Sequence, residues 1–379
     1  MEGAVEHQLN TSNRTPDQQV ARVSLTVTQS LLQGFGPAVN LARVRQSHLE
    51  AVASQFELRG YTQALVAEVE NAYWAYVLAT QQLEIFQSSL SLAKEQRGDV
   101  LQRIDIGMVA PTEAAVAHAE VAQREQALID ARSAWDEQRL TLARLTGVGN
   151  QSSMGRMIQP SSTPEMGASA DDELDDHLKV ASRWRPDLNE ARLRLEQGRL
   201  ETVLTRNGVL PRLDVFVSLG KTGFAASFRD AFGNITGDTF DFTAGLSLNH
   251  VLGRRATSAQ DVAARASREQ SARAVENLEQ LVELDVRLAL NELERARQQI
   301  EASEATRALR EQAANAERER YNVGSSTTLL VAQAQRDLLA SQITEVGAVI
   351  AYRRALVGLY LAEGTLLSRR GITMAGTVP

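Results

Sequence analysis

The residue types that most often carry chemistry are sparse in this chain, and they are not spaced as a site. Its five histidines show no metal-ligand or metalloprotease spacing; they are His7, His48, His118, His177 and His250. There is no cysteine, which excludes disulfides and thiolate metal sites. No glycine-rich phosphate-binding loop is present, so a partner would have to supply any energy. We therefore predict that the protein is not an enzyme and that it holds no cofactor and no metal.

Charged and aromatic residues that could bind a partner have structural explanations. The acidic run Asp171, Asp172, Glu173, Asp175 and Asp176 suits the start of a helix, where carboxylates interact favourably with the helix dipole. Trp135 falls on a helical seam, which favours core packing over ligand binding. The net charge of −7 and the lack of a basic stripe argue against a nucleic-acid partner.

The most informative feature is an internal repeat. Residues 69–147 align without a gap on residues 286–364, and Ile106-Gly107 falls on Val323-Gly324. Matched pairs of small residues on both sides of this glycine include Ala72 with Ala289 and Ala134 with Ala351. A repeat of this length indicates one duplicated supersecondary unit, so the architecture has to be understood before any site.

Each repeat contains one very long helix. Apolar and small residues recur at alternating steps of four and three, which is the heptad seam of packed helices. The seam residues of the first repeat include Leu65, Val69, Ala72, Tyr76 and Ala79, and those of the second include Val282, Val286, Leu293, Ala296 and Ile300. Without an internal proline, a helix of about 65 residues would be roughly 100 Å long at about 1.5 Å per residue.

After Gly107 and after Gly324 the chain is expected to turn back. Pro111 and Thr112 in the first repeat, and Ser325 to Thr327 in the second, suit the start of a return helix. Apolar residues at seven-residue steps follow, from Ala114 to Leu142 and from Val331 to Leu359. Each repeat is therefore predicted to be a helical hairpin with its tip at the matched glycine.

Three segments alternate with period two and are predicted to be strands. They are 22–29, 213–219 and 242–249, each of which lies beside a long helix in the sequence. We expect 213–219 and 242–249 to pair as an antiparallel hairpin, with 221–241 as an exposed loop and 22–29 in the same sheet. Such strands fit either a small soluble sheet or tilted outer-membrane strands.

The second repeat resembles the TolC-like family of outer-membrane efflux proteins. The resemblance rests on "RPDLNEARLRLEQGRLE" at 185–201, "NGVLPRLDVFVSLG" at 207–220, "GLSLNHVLGRRA" at 245–256 and "RYNVGSSTTLLVAQAQRDLLASQ" at 320–342. It covers residues 180–365 strongly and 20–150 more weakly. The "RYxVG" tip is its most specific part.

The resemblance implies a mainly α fold with a few β-strands. Members are homotrimers in which three chains share one transmembrane β-barrel and one long α-barrel of coiled-coil hairpins across the periplasm. It also implies a periplasmic adaptor, an inner-membrane transporter and outer-membrane lipid as partners. The expected location is the outer membrane, extending into the periplasm. The substrate and the transporter class are not specified.

The chain departs from the family pattern in two ways. The family has a leading helix and strand before 22–29 that are not recognised here, and Met1 to His7 lacks signal-peptide order. This suggests a fragment or a misplaced start. Some members also close the pore with paired aspartates, at positions that hold Leu330 and Gln333 here and Glu113 and Val116 in the first repeat. A carboxylate ring, if present, would come from Glu113; the alternative is an ordinary exposed glutamate.

We predict three segments: an incomplete first repeat at 20–150, a linker at 151–180 and a second repeat at 181–366. The predicted function is a passive exit duct in a tripartite efflux or secretion system. The alternatives are a soluble coiled-coil scaffold or periplasmic adaptor, and a non-functional truncated copy. Adaptor docking is expected at the hairpin tips, whose residues are Ile106, Gly107, Met108, Val323, Gly324, Ser325 and Ser326.

Overall fold

The computed structural model describes residues 19–147, 158–162, 173–236 and 240–373. Within these ranges the fold is mainly helical with three strands, as the sequence predicted. The strands are β1 (Gln19–Ser30), β2 (Arg212–Ala225) and β3 (Asp241–Asn249). The helices are α1 (Pro37–Asn40), α2 (Ala42–Asp105), α3 (Glu113–Leu145), α4 (Leu174–Trp184), α5 (Pro186–Gly208), α6 (Phe228–Gly233), α7 (Arg255–Asn322), α8 (Thr328–Ala362) and α9 (Leu366–Arg369). None of the helices in the described residues is long and apolar enough to cross a membrane.

The chain divides into two compact units. One comprises Met1–Ser54 with Glu190–Glu276, and the other comprises Gln55–Asn189 with Asn277–Pro379. The first unit contains the sheet and the second contains both helical hairpins. Sequence from both repeats therefore contributes to each unit.

The sheet of the first unit has the strand order β1-β2-β3, and both pairings are antiparallel. This confirms the predicted pairing of 213–219 with 242–249 and the placement of 22–29 in the same sheet. The register sets Leu25 beside Leu219, and Val217 beside Ala244. Within the described residues β1 and β3 each have one unpaired edge.

The two faces of this sheet differ in chemistry because alternate residues point to opposite sides. The register places apolar residues together on one face: Val23, Leu25, Val27, Val217, Leu219, Phe242, Leu246 and Leu248. These side chains are exposed, and Leu246 is 70% accessible. An apolar face left in the open differs from that of a soluble sheet packed on helices.

The opposite face carries mainly small and hydroxyl-bearing residues, with Phe216 among them. Thr26 Oγ1 and Ser218 Oγ are hydrogen-bonded across β1 and β2 at 2.9 Å. Phe216 lies over Gly245, where an added Cβ would approach the ring to 2.9 Å. The glycine is therefore needed for this close cross-strand contact.

The prediction of a loop over 221–241 was partly wrong. Residues 221–225 continue β2, because they pair with Gln19 to Val23 of β1, which begins three residues before the strand predicted at 22–29. The short helix α6 follows, and Ser227 caps it by accepting a hydrogen bond from the Asp230 amide. Residues 237–239 of this segment lie outside the described residues.

In the second unit α2 and α3 form the first hairpin. Trp135 donates a hydrogen bond from Nε1 to Thr80 Oγ1 at 3.1 Å, and its ring lies 6.0 Å from that of Tyr76. Lys94 and Glu125 pair nearer the turn at 2.9 Å. These contacts confirm an antiparallel hairpin and the packing role predicted for Trp135.

Helices α7 and α8 form the second hairpin. Its core contains the predicted seam residues Ala296 and Ile300, packed with Ala348, Tyr352 and Ala355. Val282 and Val286 are also buried. The predicted heptad register of the second repeat is thus confirmed over this stretch.

The seam predicted for α2 fails at Leu65, which is exposed, whereas Gln63 and Ala67 are buried. The cause is a second packing partner. At this level α2 contacts the end of α8 and α9, through Ala67 with Val357 and Leu366. The buried face of α2 at this level is therefore the one that packs on α8 and α9, and not only the one that faces the return helix α3.

The acidic residues Asp175 and Asp176 lie in the first turn of α4, as predicted. Asp171 and Asp172 lie outside the described residues, as do 148–157 and 163–170 of the predicted linker. The carbonyl of Ile158 accepts a hydrogen bond from Tyr76 Oη at 2.5 Å. This contact attaches the described part of the linker to α2.

Candidate functional site: the hairpin tips

Both hairpins turn with the same backbone geometry. Gly107 has φ +75° and Gly324 has φ +78°, a region that favours glycine because it has no Cβ. After each glycine the next amide bonds back five residues, Met108 N to Arg103 O and Ser325 N to Arg320 O, both at 2.8 Å. This hydrogen-bond pattern is the Schellman motif that ends a helix. The duplicated glycine thus has a clear structural purpose.

Apolar side chains are exposed at both turns. Ile106 and Met108 on the first turn are 69% and 68% accessible, and Val323 on the second is 78% accessible. Exposure of large apolar side chains to water is unfavourable, and a group of them at the surface is typical of a contact site. We call Ile106, Met108 and Val323 the apolar tip residues.

The two tip serines differ from each other. Ser325 is exposed and donates a hydrogen bond to Arg320 O at 3.0 Å. Ser326 is half-buried and donates from its hydroxyl to Glu317 Oε1. Ser325 is therefore the more accessible of the two, whereas Ser326 links the turn to α7.

A contact between α2 and α7 lies just behind the turns. Arg103 Nη2 donates to Asn322 Oδ1 at 3.0 Å, and the guanidinium carbon lies 4.9 Å from the centre of the Tyr321 ring. Cation–π contacts of this kind contribute about 0.5–1 kcal/mol at exposed sites. Sequence reasoning missed Arg103 because its partners lie in the other repeat.

The four residues at the predicted constriction have different environments. Leu330 and Gln333 of α8 are exposed, and Val116 is half-buried. Glu113 is half-buried at the first turn of α3, and its Oε2 atom is buried without a hydrogen-bond partner among the described residues. A carboxylate at a helix start interacts favourably with the helix dipole, so a structural role of Glu113 at the start of α3 is the alternative to a pore role.

A buried charge cluster joins the hairpins farther along α3 and α8. Glu120 is only 7% accessible; it accepts from Arg124 Nη2 at 2.6 Å and from Arg336 Nη1 at 2.6 Å. The Glu120–Arg124 spacing is a visible helical ion-pair signal, but sequence gave no sign of Arg336. One carboxylate between two guanidiniums ties the two hairpins together.

Arg307 of α7 extends the charge pairing within the second hairpin. Its Nε lies 2.6 Å from Glu345 Oε2 on α8. The hydrogen bond to Glu345, followed by charge attraction, raises the pKa of Arg307 above its usual value.

Within the described ranges, no group of three or more His, Asp or Glu is placed to hold a metal ion.

The fold and the duplicated hairpins define a class of protein. The family model described as "Outer membrane efflux protein" matches residues 4–148 and 178–365, so the chain belongs to the outer membrane efflux protein family. The TolC-like resemblance seen in the sequence is confirmed.

Individual relatives agree with this assignment. The chain is 27% identical over 331 residues to the pyoverdine export outer membrane protein OpmQ of Pseudomonas aeruginosa, a match that covers 84% of this chain. It spans only 65% of the length of OpmQ. It is also similar in fold to VceC of Vibrio cholerae, with a TM-score of 0.75 and 19% identity over 96% of this chain and 84% of VceC. For the CmeC channel of Campylobacter jejuni the TM-score is 0.75, with 16% identity over 96% and 76% of the two chains.

Proposed function

We propose that the protein is a subunit of an outer-membrane channel and works as a passive exit duct in a tripartite efflux or secretion system. The observation that carries the proposal is the three-stranded sheet, with one exposed apolar face and one polar face, in a chain that also has helices of 64 and 68 residues. In lipid every backbone polar group must be paired, so an open sheet edge is unstable there. The working form is therefore a homotrimer whose sheets close into one barrel.

The two faces of the sheet suit two different environments in that barrel. The apolar face, with Leu25, Leu219 and Leu246, faces lipid, and the hydroxyl-rich face, with Thr26 and Ser218, faces a water-filled interior. The helical hairpins extend the duct into the periplasm. The location is thus the outer membrane and the periplasm, and no catalytic step occurs in the duct.

We also propose that the apolar tip residues receive a periplasmic adaptor, which links the duct to an energised inner-membrane transporter. Exposed Ile106, Met108 and Val323 support this, because burying them against a partner removes apolar surface from water. Glu113, Val116, Leu330 and Gln333 remain our candidates for the nearby constriction.

The test of the channel is electrical. The protein reconstituted into planar lipid bilayers should give single-channel current steps. In mild detergent its mass should be that of a trimer. A soluble scaffold or adaptor would instead partition into the aqueous phase of a detergent extraction. A truncated, non-functional copy would enter detergent but conduct no current.

The test of docking compares exposed residues at the two turns with an exposed residue farther along α7. Val323→Asp and Met108→Asp should abolish export from cells and crosslinking to the adaptor while trimer yield is retained. Leu309→Asp is the matched control, since Leu309 is 65% accessible on α7 but lies away from the turn. Export that survives both tip changes would show that the tips are turns only.

A further inference from the structure

Two aromatic residues, Phe216 and Phe224, lie on the polar face of the sheet, and Phe224 is the more exposed of the two. The register pairs Val20 with Phe224, Arg22 with Thr222, and Thr26 with Ser218. Since alternate residues share a face, Phe224 lies on the hydroxyl-rich side with Thr222 and Ser218, not with the leucines. The residue is nevertheless 53% accessible.

Phe224 also lies at a defined end of the sheet. The strand ends Ser30, Arg212 and Asn249 lead to or from helices α1, α5 and α7. Phe224 and Val20 lie at the other end, where β2 turns through α6 towards β3. In the proposed channel this end is the exit, since the helices extend into the periplasm.

The opposite face of the sheet is closed to lipid at this level. Ala21 and Ala231 of α6 are buried, and a Cβ on Gly223 would lie 2.0 Å from the Ala231 carbonyl oxygen. Helix α6 therefore covers this face of the sheet at Ala21 and Gly223. Lys221 is the next residue of β2 on the same face, and the exposed apolar side chains of the face begin at its level. An exposed ring at this height faces the interior.

The surroundings of Phe224 are mixed. An open cavity beside it is lined by the polar residues Arg22, Thr222, Asp241 and Thr243 and by the apolar residues Val20, Phe240 and Phe242. Thr222 donates a hydrogen bond to Asp241 Oδ2, and Arg22 Nε lies 3.9 Å from the same oxygen. Phe224 and Val20 therefore place apolar surface next to the polar side chains Arg22, Thr222 and Asp241 on the same face of the sheet.

We propose that Phe224, with Val20 beside it, forms an apolar collar on the conduction path at the exit. This inference rests on the proposed channel function. Each subunit of the trimer contributes one ring, which narrows the polar interior and contacts apolar parts of the exported molecules. Apolar constrictions of this kind control the wetting of a pore.

The native chain has no cysteine, so a single introduced thiol can be labelled without background. Phe224→Cys channels are recorded in planar bilayers before and after a bulky cationic methanethiosulfonate is added. Labelling should lower the single-channel conductance in discrete steps, as expected for a site that lines the pore. Leu246→Cys on the apolar face and Phe232→Cys on α6 are the controls and should not respond.

A size series gives an independent measurement. Phe224→Ser should raise the conductance and Phe224→Trp should lower it, and Val20→Cys replaces Phe224→Cys if that variant does not assemble. The collar proposal would be wrong if Phe224→Cys and Val20→Cys channels conduct but their conductance does not change with the reagent. It would also be wrong if Leu246→Cys channels respond equally. If the cysteine-free parent conducts no current at all, the channel function itself fails and the collar fails with it.

Discussion

Gln63 of α2 donates a hydrogen bond from its side-chain amide to the backbone carbonyl of Gly364, 2.6 Å away, in a buried position. Gly364 ends α8 with φ +72°, and an added Cβ would lie 2.6 Å from the carbonyl oxygen of Trp184. The repeat matches Gly364 with Gly147, which has φ +64°, and no atom of the described residues lies within 4 Å of a Cβ added there. Among the described residues, the matched glycine is therefore closely packed in the second repeat and loosely packed in the first.

This difference predicts unequal effects of two identical substitutions. Gly147→Ala should cost about 1 kcal/mol, because alanine is strained at positive φ. Gly364→Ala should cost about 1–3 kcal/mol more, since the new methyl group overlaps the Trp184 carbonyl. The apparent midpoint of thermal loss of helical circular dichroism, at one heating rate, measures both. Equal shifts would contradict the tight packing at Gly364.

The buried charge cluster makes a second prediction. Glu120→Gln leaves the guanidiniums of Arg124 and Arg336 without a carboxylate, which should destabilise the second unit by about 3–5 kcal/mol. Glu125→Gln removes the exposed pair with Lys94 and should cost less than about 1 kcal/mol. Urea unfolding of the two variants side by side makes the comparison. A small effect at Glu120 would show that the cluster does not hold the hairpins together.

A third prediction concerns pH and the Arg185 cluster. Arg185 pairs with Asp187 at 2.8 Å and with Asp285 at 2.7 Å. Burial would raise the pKa of Asp187, but hydrogen bonds and attraction from Arg185 outweigh it, so the pKa lies below the usual 3.8. A carboxylate whose pKa falls on folding stabilises the protein above its unfolded pKa, and this is lost as the pH drops through the folded pKa.

The difference in thermal midpoint between the native chain and Asp187→Asn should therefore stay constant from neutral pH to about pH 4 and shrink below it. Lys179→Ala, which removes an exposed partner of Asp176, serves as the comparison for a surface pair. A difference that grows as the pH falls would have the wrong sign for a carboxylate held ionised by Arg185.

The two faces of β3 predict opposite tolerance to charge at neighbouring positions. Leu246→Lys puts an ammonium on the apolar face and should reduce the yield of membrane-inserted trimer, at a cost of about 2–4 kcal/mol near the bilayer centre. Ser247→Lys puts the same charge on the polar face and should insert normally. Trimer yield from washed outer membranes measures both, and equal yields would mean that the faces are assigned incorrectly.

The sequence could predict what local periodicity encodes. The heptad steps through Val282, Val286, Ala296 and Ile300 determine which side of α7 is buried, and that prediction was confirmed. Period-two alternation predicted β3 to within one residue, since the strand is Asp241–Asn249. Both patterns depend on near neighbours in the chain, so no tertiary information is needed.

Contacts between distant segments could not be predicted in this way. Leu65 fits the heptad but is exposed, because α9 and the end of α8 pack on another side of α2. Arg336 reaches Glu120 across 216 residues, and Arg103 reaches Asn322 across 219. A single sequence carries no signal for such pairs. The tip glycines could be predicted because the internal repeat aligns Gly107 with Gly324.

Among the described residues the sheet has unpaired edges on β1 and β3 and an uncovered apolar face, which has a consequence for a newly made subunit of the proposed trimer. Before association, such a subunit presents strand edges that another chain can extend. Its leucine-rich face adds a second route to aggregation. Association of the proposed subunits removes both hazards together, so the isolated subunit is the species most prone to aggregate.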